Sequence, residues 1–129
     1  MHTPETVHTK EAPQAIGPYS QAIVIGDFVL TSGQIPIHPE QNTMPEDIRE
    51  QAVLALKNMR AILEAANSNM NLVVKTTVFL TDMEDFPLVN EIYQEFFTPP
   101  YPARSCVGVK ELPKNAKIEI EAIARKKQP

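Results

Sequence analysis

Apolar residues recur at helical spacing in a first long stretch of the chain, which starts at Ile48. They follow one another every three or four residues as far as Ala66. Thr43 and Glu46, just before this stretch, have the spacing of a capping box, in which two side chains bond to backbone N–H groups at a helix start. We therefore predict a long amphipathic helix over this region.

A second helix is predicted to begin near Thr81 or Asp82, where Thr81 and Glu84 again have capping-box spacing. The apolar residues expected on its buried face are Phe86, Val89, Tyr93, Phe96 and Phe97. The Pro99-Pro100 pair should end this helix, because proline lacks a backbone N–H and clashes with the preceding turn.

Five shorter runs are rich in β-branched and aromatic residues, which is typical of strands. They are Ala22–Ile25, Phe28–Thr31, Leu72–Leu80, Arg104–Val109 and Ile118–Ala124. The Gly26-Asp27 pair separates the first two runs, and two residues of this type form the tight turn of a hairpin. We therefore expect the first two strands to pair with each other.

The order of these elements indicates the fold class. Each strand–helix–strand passage predicts parallel neighbouring strands, whereas the hairpin predicts an antiparallel pair. We therefore expect an α+β fold, a mixed β-sheet with two α-helices packed on one face. The other sheet face needs cover, and self-association is plausible because a chain of this size leaves much of its surface exposed.

Length and composition indicate the number of domains and the cellular compartment. The chain has 129 residues, 43% of them hydrophobic, with no repeat or linker to divide it, so we expect one domain over residues 1–129. One cysteine excludes an intramolecular disulfide. The N-terminal segment, with His2, Glu5 and His8, has no apolar run of the kind found in signal peptides or anchors. We therefore expect a cytoplasmic protein without membrane contact.

The charge balance disfavours nucleic acid as a partner. The formal net charge is −4, whereas binding to a phosphate backbone depends on an excess of lysine and arginine. The only basic cluster is the small tail Arg125-Lys126-Lys127.

Four short motifs are spread over nearly the whole chain. They are Gly17-Pro18-Tyr19-Ser20-Gln21-Ala22, Thr31-Ser32-Gly33-Gln34, Tyr101-Pro102-Ala103-Arg104-Ser105-Cys106 and Lys117-Ile118-Glu119-Ile120-Glu121-Ala122. In this order and at these separations they resemble the Rid family, also called YjgF/YER057c/UK114. The resemblance implies a chorismate-mutase-like fold that assembles as a trimeric barrel, with sites in the clefts between subunits. It also implies hydrolysis of reactive enamine and imine intermediates to 2-keto acids and ammonia.

Arg104 is the first candidate for chemistry. Strand alternation puts Arg104, Cys106 and Gly108 on one face. From the residues alone, Arg104 is either a surface arginine in a salt bridge or a planar fork that binds a substrate carboxylate through two hydrogen bonds. The resemblance to the Rid family implies the second role.

Glu119 is the second candidate. Alternation places Glu119, Glu121 and Ile123 on one side of the last strand, where charged residues usually face water. We keep that interpretation for Glu121. For Glu119 the resemblance implies a place beside the substrate, where its carboxylate orients and deprotonates the attacking water.

Four further residues are candidates for substrate binding. Asn90 lies at the margin of the apolar face of the second helix, and its amide either bonds to backbone or reaches an inter-subunit cleft. The resemblance implies that Tyr19 lines the pocket, that Ser32 offers a hydroxyl, and that Gly33 allows close backbone approach to the ligand.

Cys106 is not predicted to be a nucleophile. The histidines, His2, His8 and His38, lie in the N-terminal segment or a proline-rich loop and are not spaced to act as its base. The resemblance implies a structural contact in the site, with the backbone carbonyl of Cys106 helping to hold the water. No residue cluster predicts a metal, no glycine-rich phosphate loop is present, and no cofactor is implied.

The resemblance is closest to the 2-iminobutanoate/2-iminopropanoate deaminase subgroup, because the motif arginine is present. Two alternatives stay open. One is a non-catalytic regulatory module that binds 2-keto acids, and the other is an endoribonuclease or translation inhibitor, which the acidic net charge disfavours.

Overall fold

A computed structural model describes residues 3–129, so His2 lies outside the described residues. The elements in chain order are β1 (Glu5–Val7), β2 (Ala22–Ile25), β3 (Phe28–Thr31), α1 (Ile48–Ala65), β4 (Val73–Leu80), α2 (Phe86–Phe96), β5 (Ala103–Gly108) and β6 (Ile118–Arg125). The predicted α+β class and both predicted helices are confirmed. The five predicted strands are present, with ends that differ by one residue at most. Strand β1 is not predicted, because three residues are too few to show alternation.

The strands form one mixed sheet in the order β1-β2-β3-β6-β4-β5. Among the strands of residues 3–129, only β4 and β5 are parallel neighbours. The β2–β3 hairpin turns at Gly26-Asp27 as predicted, and Gly26 has φ 57°, a left-handed conformation that favours glycine. The expectation that β3 and β4 are neighbours is wrong, because β6 lies between them and pairs with both.

Helix α1 begins later than the capping-box pattern predicts. The predicted box of Thr43 and Glu46 is wrong: Asp47 is the N-cap, and its carboxylate accepts a hydrogen bond of 3.0 Å from the Glu50 N–H. A charged carboxylate is a stronger acceptor for a helix N–H than a threonine hydroxyl, and Asp47 directly precedes the first apolar position.

Helix α2 also begins later, at Phe86, after a 3-10 turn over Met83–Asp85. Asp82, not Thr81, caps this turn and accepts a hydrogen bond of 2.9 Å from the Glu84 N–H. On the predicted apolar face of α2 the structure buries three side chains and half-buries two. The buried ones are Val89, Tyr93 and Phe97, and the half-buried ones are Phe86 and Phe96.

Both helices pack on the same face of the sheet. The buried sheet residues of this face include Val29, Thr76, Val78, Leu80, Ile118, Ile120, Ala122 and Ala124. The opposite face carries partly exposed apolar side chains, namely Ile25, Phe28, Leu30, Val107 and Ile123. No helix of the described chain has the length and hydrophobicity that a membrane span requires.

Candidate functional site

A cavity of about 730 Å³ lies beside β6, and four of the predicted site residues line it: Tyr19, Ser32, Gly33 and Glu119. The segment after β3 forms one wall, because Gln34 pairs with β6. The Gln34 N–H donates to the Ile120 carbonyl at 2.7 Å, and the Ile120 N–H donates back at 3.1 Å. This pairing brings Gly33 against the side chain of Glu119, and Ser32 lines the same cavity.

Gly33 touches the carboxyl group of Glu119 through bare backbone. A Cβ at this position would lie 2.8 Å from the Glu119 Cδ and 3.0 Å from its Oε2, which is closer than van der Waals contact allows. The absence of a side chain at Gly33 is therefore what lets Glu119 adopt its observed position.

The carboxyl group of Glu119 is half-buried, and its surroundings raise its pKa. Burial raises the pKa of Glu119 above its ordinary value, and the nearby negative charge of Glu121 raises it further. Within residues 3–129, no cation forms a salt bridge with Glu119 and no group donates a hydrogen bond to its carboxyl oxygens. Glu121 is exposed, as expected.

Loop contacts orient Tyr19 and Ser32. Gly17 has φ 124°, which only glycine adopts without strain, and it turns the chain so that the Tyr19 hydroxyl accepts a hydrogen bond from the Ile16 N–H at 3.3 Å. The Tyr19 side chain remains 52% exposed. The Ser32 hydroxyl donates to the Ser20 carbonyl, so its oxygen can still accept a hydrogen bond from a ligand.

A second cavity, of about 380 Å³, lies at the start of β5. Two predicted site residues, Arg104 and Asn90, line this cavity. The other lining residues are Tyr93, Gln94, Tyr101 and Pro102. Asn90 is half-buried on α2, and among the described residues its amide has no hydrogen-bond partner. Of the two interpretations of Asn90, this geometry favours an amide that faces a cleft over one that bonds to backbone.

Arg104 is held by aromatic rings and not by an acid. Its Cζ lies 4.8 Å from the ring centroid of Tyr93 and 5.2 Å from that of Phe86. The one salt bridge found in the described part of the chain joins Arg49 to Glu91, so the surface salt bridge weighed for Arg104 is absent there.

Cys106 shares the sheet face of Arg104 and is half-buried. Burial raises the pKa of the Cys106 thiol, although the positive charge of Arg104 acts in the opposite direction. The thiol is therefore protonated at neutral pH. Of the histidines that the structure describes, His8 and His38 are exposed, and neither forms a hydrogen bond with Cys106. The geometry offers no activated nucleophile at Cys106.

The two cavities lie on opposite faces of the sheet. In β4, Thr76 pairs with Arg104 of β5, and Phe79 pairs with Glu119 of β6. Positions 76 and 79 are three residues apart, so their side chains point to opposite faces. Arg104 thus lies on the helix face and Glu119 on the uncovered face. Within one chain the sheet separates the predicted anion-binding group from the predicted base.

Sequence reasoning assigned Phe86 and Tyr93 to the apolar face of α2 and missed their contact with Arg104. Their seven-residue separation is the signal that could have grouped them, since it places both on one side of a helix. Sequence reasoning also missed Lys114, which lines the larger of the two cavities. Over residues 3–129, no group of three or more metal-binding side chains could hold a metal ion.

Comparisons with known proteins agree on one family. The family model described as Endoribonuclease L-PSP matches residues 9–126. The chain is 50% identical over 123 residues to the 2-iminobutanoate/2-iminopropanoate deaminase of Escherichia coli (strain K12), covering 93% of this chain and 96% of that protein. It is 52% identical over 124 residues to the RutC family protein BU371 of Buchnera aphidicola, covering 94% and 97%.

Solved structures give the same answer. Escherichia coli TdcF with bound serine superposes with a TM-score of 0.91 at 46% identity, covering 95% of this chain and 99% of that one. RidA from the Antarctic bacterium Psychrobacter sp. PAMC 21119 superposes with a TM-score of 0.92 at 43% identity, covering 94% and 98%. Because the family model and these relatives span nearly the whole chain, the chain belongs to the Endoribonuclease L-PSP family, which is the Rid family that its four motifs resemble.

Proposed function

We propose that this protein is an imine/enamine deaminase that hydrolyses 2-iminobutanoate and 2-iminopropanoate to 2-keto acids and ammonia. The observation that carries the proposal is a pair of unpartnered charges, because within residues 3–129 neither the Arg104 guanidinium nor the Glu119 carboxylate forms a salt bridge. A 2-imino acid has a carboxylate that the Arg104 guanidinium can bind. It also has an imine carbon that is attacked by water, and the Glu119 carboxylate can activate that water. The 50% identity to the Escherichia coli enzyme of that name supports the same substrate class.

In this proposal Arg104 binds the substrate carboxylate. Its fork can donate two parallel hydrogen bonds to a carboxylate, a geometry that lysine cannot reproduce. Asn90 lines the same cavity and donates or accepts one further hydrogen bond through its amide. These contacts hold the C=N carbon in place, and positioning alone removes much of the barrier to a reaction between two molecules.

Glu119 acts as the base. Its carboxylate takes a proton from water as the water oxygen bonds to the imine carbon, and it passes that proton to the imine nitrogen. The carboxylate then takes the proton of the new hydroxyl group and returns it to the nitrogen, the C–N bond breaks, and ammonia leaves the 2-keto acid. One water is consumed and Glu119 is regenerated. The raised pKa of Glu119 makes it a stronger base than an ordinary carboxylate.

Tyr19, Ser32 and Gly33 form the wall around this base and line the substrate. The backbone carbonyl of Cys106 accepts a hydrogen bond from the attacking water, while its thiol stays protonated.

We further propose that the site is completed in a homotrimer. Arg104 and Glu119 lie on opposite faces of one sheet, so one substrate can touch both only when they come from different chains. The uncovered face of the sheet carries apolar side chains that a second copy can bury. They are Ile25, Phe28, Leu30, Val107 and Ile123. A closed ring in which each chain gives Arg104 to one cleft and Glu119 to the next satisfies both observations.

A competition assay tests the proposed function. Threonine dehydratase generates 2-iminobutanoate, semicarbazide traps it, and the release of 2-ketobutanoate is followed with wild-type protein, Arg104→Ala and Arg60→Ala. Arg60 is a matched control, because its Cζ also lies over an aromatic ring, 5.4 Å from that of Phe96, but it lines neither cavity.

We expect faster 2-ketobutanoate release and less trapping with wild type and with Arg60→Ala, and neither effect with Arg104→Ala. If wild type binds 2-ketobutanoate saturably but never accelerates its release, the protein is a keto-acid-binding module and the deaminase proposal is wrong. If Arg104→Ala is as active as wild type, the role given to Arg104 is wrong.

A further inference from the structure

We propose that Tyr93 and Phe86 are positioning residues that orient the Arg104 guanidinium for its anionic ligand, and that the Tyr93–Thr76 hydrogen bond sets this orientation. The inference rests on the proposed function, because it concerns the group that binds the substrate carboxylate. It assigns a role to two aromatic rings and a buried hydroxyl that the hydrolytic steps themselves do not use.

Two aromatic rings flank the Arg104 guanidinium. Its Cζ lies 4.8 Å from the Tyr93 ring centroid and 5.2 Å from that of Phe86. In the described part of the chain, no carboxylate pairs with Arg104 and no protein group accepts a hydrogen bond from its side chain. Aromatic rings attract a cation through their quadrupole without using its N–H donors. The donors of Arg104 therefore stay available for a ligand, whereas an acidic neighbour would occupy them.

Burial and a hydrogen bond fix the Tyr93 ring. Tyr93 is only 4% exposed, and its hydroxyl shares a hydrogen bond of 2.8 Å with the Thr76 hydroxyl, which is fully buried. Thr76 lies directly opposite Arg104 in the pairing of β4 with β5. The hydroxyl that anchors the ring is thus attached to the strand next to the one that carries the arginine, so ring and guanidinium share one frame.

The Tyr93 oxygen is engaged with Thr76 and does not compete with a ligand for the Arg104 donors. Burial raises the pKa of Tyr93, so the phenol is neutral at physiological pH and places no negative charge beside Arg104. The hydrogen bond to Thr76 also opposes reorientation of the hydroxyl towards the guanidinium. The Phe97 ring packs on the ring of Tyr93, with centroids 4.4 Å apart, and restricts it further.

Phe86→Leu and Phe96→Leu form the matched pair for the first test. Both phenylalanines lie half-buried on α2 beside an arginine, but only Phe86 lies beside Arg104. We expect Phe86→Leu to weaken 2-ketobutanoate binding in calorimetry by roughly threefold to fivefold, and to lower kcat/KM in the semicarbazide competition by a similar factor. Phe96→Leu should leave both values at the wild-type level.

The second test separates positioning from packing at Tyr93. Tyr93→Phe leaves the Thr76 hydroxyl buried without its partner, and the double variant Tyr93→Phe with Thr76→Val removes both polar groups. We expect the single variant to lower the free energy of unfolding and the double variant to recover most of it. The Kd for 2-ketobutanoate should rise about threefold to tenfold in both variants and not recover, because the anchor of the ring is missing in each.

Three outcomes decide the proposal. If Kd and kcat/KM stay at wild-type values in Phe86→Leu and in the double variant, or if Kd recovers together with stability, the rings only pack and the proposal is overturned. If a Tyr93 variant fails to fold, Phe86→Leu against Phe96→Leu still decides it. If wild type binds 2-ketobutanoate without turnover, a weaker Kd in Phe86→Leu supports the positioning role while the deaminase proposal fails.

Discussion

The cavity beside Glu119 and the cavity beside Arg104 keep opposite charges free of a counter-ion by different means. Glu119 lies half-buried against the bare backbone of Gly33, and burial raises its pKa. Arg104 lies on an exposed edge strand and is held by the rings of Phe86 and Tyr93. A carboxylate becomes a better base by losing solvent, whereas a guanidinium stays charged in any setting and needs only orientation.

The separation of Arg104 and Glu119 on opposite faces of the sheet preserves the properties of both groups within one chain. A guanidinium beside Glu119 would lower the pKa of the carboxyl group, and a carboxylate beside Arg104 would fill its hydrogen-bond donors. Placement on opposite faces prevents both in the isolated chain. In the proposed trimer the two charges meet only across a cleft, with the substrate between them.

The largest expected effect is the loss of the base. Glu119→Gln keeps the shape of the side chain and removes its ability to accept a proton from water, so we expect kcat to fall on the order of 10² to 10⁴-fold. The Kd for 2-ketobutanoate should change little, because Arg104 supplies that contact. Single-turnover rates and calorimetry on the same preparation measure both. A fully active Glu119→Gln would show that another group activates the water.

Mixing two inactive variants tests whether the two cavities come from different chains. Arg104→Ala and Glu119→Gln are unfolded together in equal amounts and refolded. If each cleft takes its arginine and its glutamate from different chains, about a quarter of the clefts regain both groups, and activity should recover to about that share of wild type. Each variant refolded alone is the control. No recovery in a mixture shown by mass spectrometry to contain mixed trimers would contradict the inter-subunit site.

Gly33→Ala sharpens the comparison on the carboxylate side. The new Cβ would meet the end of the Glu119 side chain at 2.8 Å, so the carboxyl group must move while the fold is retained. We expect kcat to fall roughly tenfold, since a misplaced base of this kind loses much of its benefit. Gly108→Ala is the control, because its Cβ would meet only the flexible and partly exposed Met83 side chain, at 3.0 Å. Equal kcat values in the two variants would contradict the role of Gly33.

The smallest expected effect is a shift in pH dependence. Negative charge on Glu121 raises the pKa of Glu119, so activity that needs ionised Glu119 is lost as the pH falls through that raised pKa. Glu121→Gln removes this contribution, and the acidic limb of kcat/KM should therefore move to lower pH. Glu111→Gln changes the net charge equally at an exposed position that lines neither cavity, and it should leave the limb in place. A shift to higher pH in Glu121→Gln would refute the assignment of that limb to Glu119.

Local patterns predicted the helices and strands, but they predicted less well where helices begin. Apolar periodicity predicted both α-helices. Residue composition predicted the five longer strands, and each strand end differs from the structure by no more than one residue. The capping-box pattern failed because several polar side chains precede each helix: Asp47 caps α1, and Asp82 caps the 3-10 turn before α2. Which of them meets a free N–H depends on the path of the incoming loop, which periodicity does not encode.

The sequence by itself determined the family, the elements and the faces of single strands, because side chains alternate along a strand whatever its neighbours are. Alternation thus grouped Arg104 with Cys106 and separated Glu119 from Ile120. Only the tertiary structure decided that β6 enters the sheet between β3 and β4, since strand pairing depends on backbone hydrogen bonds between distant segments. That register put Arg104 and Glu119 on opposite faces, and the packing of α2 put two aromatic rings beside the arginine.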